Sequence, residues 1–262
     1  MRFDTLLYEV RDGVARITLN RPDAANALDL QMAKDLMQAA LAAEEDAAVR
    51  AVVLASTGKL FCAGGDLAAM RAAGDAKPAL LAQMTTQLHA ALSRFARMRA
   101  PVLASVQGPV AGAGVGLVCA ADLALCAESA KFSLAYTAAG LVPDGGTTYH
   151  LPRILGTRRA LELMLTNRRL DAATALAWGL VNRVVPDLDL ARETDALAAQ
   201  LAAGATQAFG AAKRLVVGSF DHALEAQMEL EARAIADASR SDDGNEGIAA
   251  FLDKRPARFR GR

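Results

Sequence analysis

Apolar and polar positions alternate near the start of the chain. In "VARITL", Ala15, Ile17 and Leu19 share one face while Arg16 and Thr18 share the other, the two-residue period of a half-buried strand. "LLYEV" precedes it, and the "RDG" between them predicts a hairpin. The period then lengthens: "ALDLQMAKDLMQAALAAEED" has helical spacing through Leu30, Met37 and Leu41. "AVVLAS" (51–56) is a short unbroken apolar run, as expected of a strand buried on both faces. It leads into the glycine-containing loop "FCAGGDL" and a short helix.

A second unit repeats this form. A long helix is predicted over roughly 78–98, then a buried strand "PVLASV" (101–106). The loop "QGPVAGAGVGL" enters a helix near 112–121, and "DLALCA" (122–127) is another strand. Strands alternating with helices imply βα units and a largely parallel, wrapped sheet. After about residue 186 the pattern is helical almost throughout, with a break at "LAAGAT" (201–206) and helices near 206–217, 220–238 and 243–253. The fold class expected is α/β, with a core over 1–200 and a C-terminal helical region over 201–262.

Composition narrows the chemistry. Lys+Arg and Asp+Glu number 29 each, so the overall charge attracts neither nucleic acid nor a membrane surface. Apolar residues make up 53% of the 262, enough for a sizeable core. The odd set Cys62, Cys119 and Cys126 lacks CxxC spacing and sits in apolar runs, reading as reduced core thiols of a cytoplasmic protein. The N-terminus lacks the long apolar stretch of a signal peptide, and no window approaches the ~20 apolar residues that span a bilayer. "GAGVGL" has glycines at 112, 114 and 116, one residue short of the dinucleotide fingerprint. There is no phosphate loop, no GxSxG elbow and no metal-binding motif.

Two features remain. The glycine loops follow buried strands and open helices, where unpaired N–H groups carry partial positive charge. Converging, they would form an oxyanion hole; apart, they are tight turns. In "LVPDGGTTYH", Asp144 lies between a proline and two glycines with apolar chain before it. It is either a turn-capping aspartate or an acid/base at the mouth of a pocket. Asp66, after the first glycines, reads as the cap of the next helix. The basic ending "KRPARFRGR" reads as a solvated tail or subunit contact, with pairing to the phosphates of an anionic ligand as the minor alternative.

The stretches "ITLNRPDAANALD", "FCAGGDLAAM", "APVLASVQGPVAGAGVGLVCAADLALCAESAKFSL", "GLVPDGGTTYHLPRILG" and "EGIAAFLDKRPARF" resemble the crotonase, or enoyl-CoA hydratase/isomerase, superfamily, in family order from near residue 17 to near 259. The resemblance implies a spiral of ββα units and a C-terminal region used in homotrimers or dimers of trimers. The ligand implied is an acyl-CoA thioester, with no cofactor beyond the coenzyme A of the substrate. It also implies backbone donors at Gly65 and Ala113 for the thioester oxygen, and CoA contacts along Ala25, Ala63, Gly64 and Gly65. Ala24 stands where relatives often carry a lysine or arginine near the CoA phosphates. The two glutamates of family hydratases fall on Gly116 and Tyr136, which argues against simple hydration. Family isomerases carry an aspartate at the position of Asp144. Aroyl-CoA dehalogenases have a nucleophilic aspartate there, a histidine base at the position of His89, and a tryptophan at that of Tyr136. The reading favoured is double-bond isomerisation by Asp144. Dehalogenase-like displacement, hydration by Asp144 alone, or non-catalytic acyl-CoA binding are the alternatives. His89 beside an apolar helical stripe reads more readily as a packed or hydrogen-bonding residue than as a catalyst, and Tyr136 as a pocket wall, a hydroxyl donor or ordinary packing.

Overall fold

The computed structural model describes residues 2–262. The predicted hairpin is present: β1 (Leu6–Arg11) pairs antiparallel with β2 (Val14–Leu19). Asp12 and Gly13 both have positive φ, 51° and 78°, the backbone that a tight two-residue turn requires. Parallel to β2 come β3 (Ala51–Ser56), β4 (Val102–Val106), β6 (Leu123–Ala127) and β9 (Arg183–Val185), in the order β1-β2-β3-β4-β6-β9. A second, three-stranded sheet joins β5 (Val110–Ala111), β7 (Lys131–Ser133) and β8 (Leu170–Asp171). Its strands of two or three residues are too short for any periodicity to show.

Both faces of the main sheet are covered, which is why β3 and β4 are continuous apolar runs. Val52, Leu54, Val102, Ala104 and Cys126 enter the larger core, with α1 (Leu30–Glu45), α3 (Lys77–Arg97) and α4 (Ala113–Ala120). The intervening Val53, Leu103 and Leu125 pack on the other side against Leu190 and Leu197 of α8 (Leu190–Ala202). Ser105 and Thr194, both buried, hydrogen-bond at 2.8 Å across that second interface. Helix α1 begins where Asp29 accepts the Met32 N–H. Its buried face is Met32, Leu36, Ala39, Ala40 and Ala43 rather than the predicted Leu30–Met37–Leu41 stripe, whose members are only partly buried. Alanine adds little hydropathic contrast, so the large side chains misled the phase.

The other helices are α2 (Leu67–Ala72), α5 (Thr147–Leu155), α6 (Thr157–Thr166) and α7 (Ala172–Trp178), then α9 (Thr206–Gly218), α10 (Leu224–Arg240) and α11 (Asp242–Leu252). Helix α9 is anchored by Lys213, whose Nζ donates to Asp122 at 2.6 Å and to the carbonyls of Phe95 and Ala100. The basic ending folds back on α11. Asp243, buried, accepts the N–H groups of Arg260 and Gly261, and Glu246 pairs with Arg255. The three cysteines are buried and unpaired, and burial pushes their thiols up to about 12. No helix among the described residues is long and apolar enough to cross a membrane.

Candidate active site

The loops after β3 and β5 touch. Ala111 donates to the Cys62 carbonyl at 2.8 Å and Phe61 to that of Pro109 at 3.0 Å. Gly64 and Gly112 sit at this crossing with φ of 91° and 52°. A Cβ on Gly64 would lie 3.0 Å from the Ala111 carbonyl oxygen, and one on Gly112 only 3.3 Å from the Gly64 Cα. Glycine is therefore favoured at both places by conformation, and the space beside each is tight. Leu28 donates to the Gly64 carbonyl and accepts from Asp66, holding the first loop from its other side. The Gly65 and Ala113 N–H groups have no partner among the described residues, and both residues line one cavity of about 290 Å³. Ala113 opens α4, so its amide also has the positive end of a helix behind it.

A polar network fixes the entrance to the first loop. Arg21 reaches Asp29 and Asp66, at 3.1 and 3.2 Å, and the Ala27 carbonyl, so one guanidinium joins the caps of α1 and α2. Asp66 caps α2 by accepting from Ala69 at 3.0 Å, as its place in the sequence suggested. Burial opposes its ionisation, but the Ala69 amide and the Arg21 guanidinium outweigh that and hold the carboxyl below its usual range. Asn26 is buried at a φ of 51° and spends its side chain on the carbonyls of Thr57 and Leu60 and the N–H of Arg21. Neither Arg21 nor Asn26 stood out in sequence; a polar residue inside "NRPDAANALD" has no periodic signature.

Asp144 lines the cavity, half-buried, and its carboxylate caps no backbone amide. Its Oδ1 accepts from the Tyr136 hydroxyl at 2.5 Å, and among the described residues no group hydrogen-bonds Oδ2 or forms an ion pair with it. Tyr136 is aimed from a strained position, since Ala135 before it has a φ of 55°. Burial, reinforced by the neighbouring carboxylate, pushes the Tyr136 phenol well above its usual range, so it remains a donor. The backbone beneath Asp144 is tied twice more. Buried Thr147 donates both its N–H and its hydroxyl to the Asp144 carbonyl, at 3.1 and 2.7 Å. The Gly145 N–H donates to His89 Nε2 at 3.2 Å. His89 itself is exposed on α3 and does not line the cavity; it supports the loop from outside.

Gly116 lies behind this loop. A Cβ there would sit 2.3 Å from the Gly145 carbonyl oxygen and 3.1 Å from its carbon, so no side chain fits while the loop keeps its place. The space in which a residue at 116 would project is filled by backbone.

Of the positions singled out in sequence, Ala63, Gly64, Gly65, Ala113, Tyr136 and Asp144 meet at the one cavity. Ala25 stands next to it, its carbonyl accepting from Ala63 at 3.1 Å. The basic ending lines no part of it. Thr147 was missed; its signal was the first of two threonines directly after two glycines. Chemically, two free amides can hold charge developing on a carbonyl oxygen, and one carboxylate with one free oxygen can accept and return a proton.

A family model described as enoyl-CoA hydratase/isomerase matches residues 9–262. The chain is 40% identical to a Rhodobacter capsulatus protein described as a probable enoyl-CoA hydratase, with all of both chains covered. It is 36% identical to the 1,2-epoxyphenylacetyl-CoA isomerase of Escherichia coli, over 98% of each chain. It is also 36% identical to an Arthrobacter 4-chlorobenzoyl coenzyme A dehalogenase, over 94% of this chain and 90% of that one. The crystal structure of an enoyl-CoA hydratase/isomerase from Cupriavidus metallidurans superposes with a TM-score of 0.91 at 36% identity, covering 100% of this chain and 98% of that one. A match along nearly the whole chain, in sequence and in fold, makes this protein a member of the enoyl-CoA hydratase/isomerase family.

Proposed function

We propose that the protein moves a double bond along the acyl group of a CoA thioester by transferring one proton. The thioester oxygen lies between the Gly65 and Ala113 amides. The Asp144 carboxylate removes a proton from the acyl chain, the electrons pass to the carbonyl oxygen as a dienolate, and protonated Asp144 returns the proton at another carbon. Tyr136 holds Oδ1 so that Oδ2 faces the chain. Gly145 and Thr147, with His89 behind them, keep the carboxylate at a fixed height. The pantetheine arm runs along Ala63–Gly65 and past Ala25. The observation that carries this reading is a single cation-free carboxylate sharing a cavity with two unpartnered amides.

Two other readings have less support. Hydration by paired glutamates would need a carboxylate at 116, where no side chain fits. Displacement on an aroyl-CoA needs a water-activating base, and His89 lies off the cavity with Nε2 engaged by Gly145. Self-association through the C-terminal helices belongs to the same proposal, supported by Leu224, Met228 and Ile235 of α10 and Phe251 of α11 standing exposed. The test is incubation with 3-enoyl-, 2-enoyl- and 4-chlorobenzoyl-CoA in heavy water, read by mass spectrometry. Isomerised product is expected, carrying deuterium only in the fraction where protonated Asp144 exchanges with solvent before it returns the proton. Hydrated product, or chloride release through a covalent aspartyl species, would replace this reading.

A further inference from the structure

Past Asp144 and the two amides, the cavity is walled by Leu67, Met70, Leu81, Met84, Leu88 and Leu141. Among the described residues that line it there is no lysine, arginine or histidine, and Asp144 is the sole ionisable carboxyl. The polar side chains that remain are already spent. Thr85 donates its hydroxyl to the Leu81 carbonyl at 2.9 Å, and Tyr136 donates to Asp144. The wall thus offers no free side-chain donor to an acyl group.

The geometry points to a substrate whose acyl group is uncharged and carries no hydrogen-bonding group beyond the reacting carbons. This deepens the acyl-CoA isomerase reading and rests on it for the placement of the thioester. A carboxylate on the acyl group would lose its water, find no cation and lie in the same cavity as the Asp144 carboxyl. A hydroxyl would meet only the milder penalty that an apolar pocket can impose, up to about 100-fold. Size adds a second limit. On the scale where a cavity of about 150 Å³ holds benzene, 290 Å³ holds a thioester and a medium-length chain or a single ring. Met70 and Met84 are flexible enough to close on either shape. Met70 stands hard against the oxyanion loop, its Cε 2.6 Å from where a Cβ on Gly65 would be.

The test is equilibrium binding to the intact protein of three saturated CoA esters of equal length: octanoyl, 8-hydroxyoctanoyl and suberyl. Because none can isomerise, the readout does not depend on the reaction. Octanoyl-CoA is expected to bind best, the hydroxylated ester up to about 100-fold more weakly, and suberyl-CoA on the order of 1,000-fold more weakly. Suberyl-CoA binding within tenfold of octanoyl-CoA would overturn the inference while leaving isomerisation intact. Tight, selective octanoyl-CoA binding without isomerisation of 3-octenoyl-CoA would instead remove the proposed reaction and leave the selectivity standing.

Discussion

Asp122 and Asp144 show two ways in which this fold holds a carboxylate. Asp122, at the end of α4, accepts the Val102 N–H at 2.7 Å and pairs with Lys213 at 2.6 Å. Burial pushes the Asp122 carboxyl up and the Lys213 ammonium down, and outweighs the attraction that works the other way on each. Asp144 has neither cation nor amide, only the hydroxyl of Tyr136 on one oxygen. A carboxylate with an adjacent cation is neutralised in place and serves as a joint, here between α9 and the core. One held by a neutral donor has no counter-ion to fix it and keeps a lone pair to use. The same residue type is structural in one region and available for chemistry in the other because of what faces it.

Exchanging the two situations should separate them. Asp144→Asn is expected to lower kcat about 1,000-fold with thermal stability nearly unchanged; full turnover would remove Asp144 from the reaction. Lys213→Ala should do the reverse. Leaving Asp122 buried without its cation costs about 3–5 kcal/mol in denaturant unfolding, while turnover below the melting transition persists. Gly116→Ala tests the support under Asp144: the clash with Gly145 should cost about 1–3 kcal/mol and lower kcat more than it raises KM. Tyr136→Phe leaves both oxygens of Asp144 unheld, and kcat should fall about tenfold, equivalent to about 1.4 kcal/mol.

The smallest effect concerns a third carboxylate, Asp66, which has both a cation and an amide. Its folded pKa lies below the ordinary value, so its stabilisation is present above the ordinary carboxylate range and is lost as pH falls through the folded pKa. Asp66→Asn should be about 1 kcal/mol less stable than the parent at pH 7. That gap should close below about pH 4, measured as denaturation midpoints across pH.

How far the sequence foretold this depends on the kind of contact. The hairpin, β3 and β4 were legible because burial on one face or two leaves a period of two or an unbroken apolar run, as in Ala15–Ile17–Leu19 and "AVVLAS". The C-terminal helices were legible within a few residues from their helical pattern and the break at "LAAGAT", although α10 buries no residue in the single chain. The phase of α1 was not, because its buried face is largely alanine. At the site, Gly65, Ala113, Tyr136 and Asp144 could be named from resemblance, and the structure puts them at one cavity. Arg21, Asn26 and Thr147 could not be named. Each works by bridging segments distant in sequence or by capping a carbonyl, and neither leaves a repeat along the chain. His89 was visible as a histidine beside an apolar stripe and, by resemblance, at the position of a dehalogenase base; that its ring meets the Gly145 amide depends on how α3 lies against the loop.

The closeness of Gly116 to the Gly145 carbonyl couples two positions through main chain. A side chain at 116 and the Asp144 loop as it stands claim the same few ångströms, so a variant that gains the one must move the other.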